Sequence, residues 1–138
     1  MKKTLLLLTI AVLAALALVS CDKNKGKTKD PLNGTTWTAY DGDYLMVLKF
    51  DLGTRATFFV GDKNLNPAGP VSNSSYTLTD DTKISFANLK GSMDVTRYRF
   101  KTGTLNGDSM TITYDRWTAS AAMESLIEHF PDVVFKKK

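Results

Sequence analysis

Between residues 35 and 135 apolar side chains recur at every second position in short runs broken by glycine, and this period constrains the fold most. Tyr44, Met46, Leu48 and Phe50 alternate with Leu45, Val47, Lys49 and Asp51. Ala56, Phe58 and Val60 follow, then Tyr76 and Leu78, Ile84 and Phe86, Tyr98 and Phe100, and Met110, Ile112 and Tyr114. With Trp37 and Ala39 before them and 133–135 after, the chain carries eight candidate strands. A strand turns successive side chains to opposite faces, so each run predicts a strand with one face on a core.

The breaks have turn chemistry. Asp41-Gly42-Asp43 and Leu52-Gly53-Thr54 supply glycine for positive φ, and Asn106-Gly107 between two alternating runs is a hairpin signal. Consecutive strands are therefore expected to be antiparallel neighbours. The connection 61–73, with Pro67, Gly69 and Pro70, has no periodicity and reads as a long loop at one end of the sheet. One segment changes period: Ala119, Ala122, Met123, Leu126, Ile127 and Phe130 recur at helical spacing, with Pro131 ending the run. It predicts one short amphipathic helix before the last strand. Eight up-and-down strands with an aromatic-rich inner series predict an all-β, eight-stranded antiparallel barrel, whose closure removes exposed edges. An open two-sheet sandwich is the competing arrangement.

Ahead of the barrel, Met1-Lys2-Lys3 precedes a run from Leu5 to Val19 that is apolar apart from Thr9. Fifteen residues of helix span about 22 Å, too short for the hydrocarbon core, so the segment reads as an export signal. It closes on Leu18-Val19-Ser20-Cys21, which resembles the lipobox of bacterial lipoproteins. That resemblance implies a signal peptide over 1–20, acylation of Cys21 with diacylglycerol and a palmitate-type chain, and a mature chain beginning at Cys21. Several acyl chains, at about 0.8 kcal/mol per buried methylene, would hold it on the membrane. Asp22 resembles an inner-membrane retention signal of some bacterial groups; the outer membrane of the cell envelope is the expected location. Cys21 is the chain's one cysteine, so the exported domain has none left for a disulfide.

The formal charge of +4 is unevenly placed. Lys2 and Lys3 lie in the leader, 22–31 carry four Lys and two Asp and read as a flexible tether, and 32–138 hold twelve basic and twelve acidic residues. A neutral body offers no nucleic-acid footprint. The organisation is thus leader 1–20, lipidated Cys and tether 21–31, and barrel domain 32–138.

Leu32-Asn33-Gly34-Thr35-Thr36-Trp37 resembles the opening of lipocalin-like (calycin) domains, with two residues between Gly34 and Trp37 where that family has one. The resemblance implies a barrel interior lined by Trp37, Tyr44, Met46, Phe58, Tyr76, Tyr98, Phe100, Met110 and Tyr114. Two functions fit. In one the interior holds a small apolar or amphipathic ligand, which would also partner the buried tyrosine hydroxyls. In the other the interior is filled, and the protein is a tethered interaction or inhibitor module for an envelope protein, using loop 61–73 and the helix.

Motifs for catalysis are missing: His129 is the one imidazole, expected at a helix end, and no nucleophile elbow or phosphate loop accompanies it. The chain therefore reads as a non-enzyme with no cofactor and no metal site. Asp41/Asp43 and Asp80-Asp81 read as turn residues. Arg97 and Arg99, on the face opposite Tyr98 and Phe100, read as solvent-facing partners of acidic residues on a neighbouring strand.

Overall fold

The computed structural model describes residues 29–119 and 126–138, and within these the chain forms nine strands and no helix. They are β1 (Thr35–Asp41), β2 (Tyr44–Asp51), β3 (Arg55–Gly61), β4 (Ser72–Thr79), β5 (Lys83–Phe86), β6 (Lys90–Met93), β7 (Thr96–Asn106), β8 (Ser109–Thr118) and β9 (Glu128–Lys137). Antiparallel pairing runs β5-β4-β3-β2-β1-β9-β8-β7, and β5 also pairs with β7, so the sheet closes on itself. The strand β6 continues the line of β5 along the same edge of β7: Ser85 faces Thr102, and Lys90 faces Arg99. The two form one interrupted stave, and the result is an eight-stranded antiparallel barrel rather than an open sandwich.

The interruption is bridged by backbone hydrogen bonds. Ala87 N–H donates to Ser75 O at 3.0 Å and Phe100 N–H to Leu89 O at 2.9 Å, while Leu89 turns fully inside. Gly91, one residue into β6, lies where an added Cβ would sit 2.0 Å from the Phe58 ring. The ring occupies the space a side chain would need, so only glycine lets this strand approach the packed interior.

The helix expected over 119–130 is corrected where the chain is described. Leu126 and Ile127 are irregular, and Glu128, His129 and Phe130 belong to β9, opposite Arg116, Asp115 and Tyr114 of β8. Ala122 and Met123 lie outside the described residues. Phe130 satisfies both a helical and an alternating pattern; stacking on Tyr114, with centroids 5.0 Å apart, and a partner strand for its backbone favour the strand.

Alternating strand directions define two ends. The turn 42–43, the start of loop 61–71, the turn 94–95 and the residues after β8 lie at one end, here called the mouth. The turns 52–54, 80–82 and 107–108, the end of the tether at Lys29 and the C-terminal Lys138 lie at the other. That second end is plugged by Leu32, fully buried, and by Trp37, whose indole N–H donates to Thr35 Oγ1 at 2.8 Å. The first half of loop 61–71 folds onto the outer wall, and Gly69 reaches Met93 of β6. Asp62 accepts the backbone N–H groups of Asn64 and Asn66, and Leu65 covers Leu45, Val47 and Phe59 of β2 and β3.

Candidate functional site

The nine residues expected inside the barrel belong to one cluster: eight are buried, and Tyr44 is partly buried at the mouth. Tyr76, Phe58, Phe100, Tyr98 and Tyr114 join Phe50, Phe86 and Phe130 in one continuous chain of rings. Phe50 meets Tyr76 at 5.1 Å and Phe86 at 6.4 Å, Phe86 meets Phe100 at 6.1 Å, and Phe100 meets Phe58 at 4.6 Å. Phe58 continues to Tyr98 at 5.5 Å, Tyr98 to Tyr114 at 6.0 Å, and Tyr114 to Phe130 at the mouth. Each such pair adds about 0.5–1.5 kcal/mol beyond the burial itself.

Three tyrosine hydroxyls find partners within the protein. Tyr76 donates to Asp30 Oδ2 at 2.6 Å at the tether end, Tyr98 to Asp41 Oδ2 at 2.8 Å and Tyr44 to Asp94 Oδ2 at 3.2 Å at the mouth. Burial and then the Asp41 carboxylate raise the Tyr98 phenol well above its usual range; burial does most to push Tyr114 up to about 12.

Above this core the mouth carries a cleft of about 760 Å³, walled by Tyr44, Trp117, Leu126 and Ile127 and edged by Asp43 and Glu128. Its floor is an ion-paired relay. Asp41, 8% exposed, accepts Tyr98 on one oxygen and Arg116 on the other. Arg116 also pairs with Glu128, through Nε at 2.8 Å and a terminal nitrogen, and lies over the Phe130 ring, 4.6 Å from its centroid. Ionised acceptors make these hydrogen bonds the stronger kind, and together they close the barrel interior beneath the cleft. Around it Val95 and Leu126 are more than half exposed, and Ile127 is 39% exposed.

A second polar centre stands on the outer wall. Asp115 of β8, its side chain 1% exposed, accepts Arg99 Nε at 3.2 Å and a terminal nitrogen of Arg99 at 2.7 Å on Oδ2. Its Oδ1 meets Lys101 Nζ at 2.9 Å and His129 Nδ1 at 2.7 Å. Burial alone would raise this carboxyl; the hydrogen bonds from Arg99, Lys101 and His129 override it and hold the group well below the usual carboxylate range. Arg99 thus has the acidic neighbour expected of it. Arg97 instead donates to the carbonyls of Asp94 and Thr96.

Sequence reasoning passed over Asp41, Arg116 and Asp115. Asp41 reads as a turn residue because it precedes Gly42, and only the register, which brings β1 and β8 to one end of a closed sheet, pairs it with Arg116. Asp80 and Asp81 do serve a turn, both at positive φ. Among the described residues no group of three or more His, Cys, Asp or Glu is placed to hold a metal. Cys21 and the tether up to residue 28 lie outside the described residues. In comparisons with known proteins, no family model, no curated protein and no solved structure matches the chain.

Proposed function

We propose that this protein is a lipid-anchored binding module of the bacterial cell envelope, with a lipocalin-like barrel whose interior is filled and whose mouth engages an envelope protein. One observation carries the reading: a continuous chain of rings runs from Tyr76 to Phe130, and the hydroxyls of Tyr44, Tyr76 and Tyr98 are taken up by the protein's own carboxylates. An interior carrier would leave those groups for its ligand. With the interior occupied, recognition falls to the surface, and the mouth combines a sizeable cleft with exposed Val95, Leu126 and Ile127.

The direction of the mouth supports the same reading. The tether enters at the plugged end, beside Asp30 and Leu32, so an anchor at Cys21 leaves the mouth pointing away from the membrane that holds it. The lipobox-like sequence supports the anchor, with the outer membrane as its place, and the absence of catalytic motifs supports binding rather than chemistry.

Native mass spectrometry of the detergent-solubilised protein from its own envelope tests the proposal. The mass of the acylated mature chain with no further small-molecule adduct is expected, together with a stoichiometric protein complex that disappears in Leu126→Asp and persists in Val134→Asp on the outer wall. A stoichiometric small-molecule adduct lost in Tyr98→Ala would instead establish the interior carrier.

A further inference from the structure

The outer wall has a charge distribution that a neutral domain does not require. Lys90, Arg97, Arg99 and Lys101 lie on the two adjacent strands β6 and β7, and among the described residues Asp115 is the carboxylate that contacts any of these side chains. Lys90 sits directly opposite Arg99. Like charges directly opposite each other across a ladder are destabilising. Twelve acidic residues are available between positions 32 and 138, so the concentration is a matter of placement, not of supply.

Two irregularities build the cluster around Asp115. The β7–β8 register shifts between Phe100 and Thr102, leaving Lys101 outside the ladder pairing with its amine on Asp115. The β8–β9 register shifts between Ile112 and Tyr114, and beyond that shift His129 stands opposite Asp115. Bulges re-aim side chains, and here two adjacent ones converge on one buried carboxylate. Trp117 lies against the Arg99 guanidinium, 5.8 Å from its centroid, and restricts it further.

Asp115 uses only part of the donors it gathers. Arg99 commits Nε and one terminal nitrogen, Lys101 one of three N–H bonds, and His129 its Nδ1. The remaining guanidinium nitrogen and two ammonium hydrogens belong to side chains 47% and 43% exposed; His129, 69% exposed, adds an Nε2–H only as the imidazolium, because its Nδ1 already donates to Asp115. A buried carboxylate that pins cations and leaves their outer donors to solvent is a pre-organised anion receptor, because the cost of ordering long side chains is already met in the folded state.

We propose that this cluster binds a tetrahedral oxyanion of the phosphate class, held by Arg99 and Lys101, and by His129 when its ring is the imidazolium, with Lys90 adding attraction from β6. The phosphate belongs either to a soluble ester or to a lipid headgroup. The site lies on the wall beside the mouth, with Trp117 bordering both, while Lys90, Arg99, Lys101 and His129 are not among the residues that line the cleft.

His129 is the single histidine of the chain, so its imidazole proton resonances report this site without assignment. The experiment titrates inorganic phosphate into the untagged full-length protein in a phosphate-free detergent at fixed pH, with chloride at matched ionic strength as control. A saturable shift of the His129 resonances with phosphate and not with chloride is expected. Lys101→Gln should weaken the apparent affinity by about threefold, and Lys101→Arg should restore it. A parallel arm adds vesicles of anionic phospholipid: a shift at lower total phosphate than the inorganic ion requires identifies a lipid headgroup, and its absence identifies a soluble ester. A phosphate response indistinguishable from chloride, or one unaltered by Lys101→Gln in a protein that keeps its fold, overturns the proposal.

Discussion

Gly91→Ala tests the filled interior with a single methyl group. The new Cβ would lie 2.0 Å from Cε1 and 2.1 Å from Cδ1 of Phe58, whereas carbon atoms in contact sit about 3.5–4.0 Å apart. The ring must therefore retreat by roughly 1.5 Å. Behind it stand Phe100, with centroids 4.6 Å apart, and Tyr98 at 5.5 Å, and Phe100 is itself backed by Phe86 and Tyr114. Overpacking a well-filled core costs about 1–3 kcal/mol, and a displacement that has to pass through two layers of rings belongs at the upper end. About 3 kcal/mol corresponds to a loss of roughly 12 °C in Tm for a domain of this size. Gly91 is not among the positive-φ residues, so the penalty is steric alone. Phe58→Leu removes the obstructing ring; in that background Gly91→Ala should cost under about 1 kcal/mol, a coupling of roughly 2 kcal/mol. Urea unfolding of the four proteins measures this, with unchanged m confirming that only stability has moved. If Gly91→Ala alone costs under about 0.5 kcal/mol, the ring has empty space to enter, and the case against an interior ligand collapses.

Asp115 should govern acid stability. Because its folded-state carboxyl is depressed, it stabilises fully above the ordinary range near pH 4 and progressively less as the pH falls below it. Asp115→Asn should flatten the decline in urea midpoint below about pH 4, and an unchanged decline would assign acid sensitivity to other groups. Tyr98→Phe leaves the ring in place but removes a hydrogen bond to an ionised acceptor, so it should cost about 1.5–3 kcal/mol; near-neutral behaviour in thermal unfolding would show that Arg116 alone satisfies Asp41. Ultraviolet titration should find the Tyr114 phenol still protonated until about pH 12 unless the fold opens first. Its raised value stabilises below the ordinary phenol range and fades as the pH climbs through 12, and ionisation near pH 10 in an intact fold would show that the interior admits water. Cys21→Ser should abolish incorporation of a labelled fatty acid and release the protein from membranes; retained labelling would place the acyl chain elsewhere.

Period-two alternation made the staves legible because it reports a local property, the side of the chain that is buried. It identified every strand except β6, where Lys90-Gly91-Ser92-Met93 offers no apolar alternation to read. The reason lies in a tertiary contact: Gly91 is small because Phe58, more than thirty residues earlier, fills the space its side chain would take. Residues 119–130 illustrate the converse, since a helical spacing remains a local preference until β8 offers Phe130 a stacking surface and a ladder. The polar centres were illegible for a further reason. Asp41 and Arg116 meet only because the sheet closes, and Asp115 gathers Arg99, Lys101 and His129 only because two ladders slip register beside it. Neither closure nor slip leaves a mark on the identity of an aspartate. The same reasoning explains why alternation put these nine residues in one inward series while their role was left open between cavity lining and core. Alternation specifies which side chains point inward; whether they meet is decided by ring sizes summed across opposite staves, and here those rings touch from Tyr76 to Phe130.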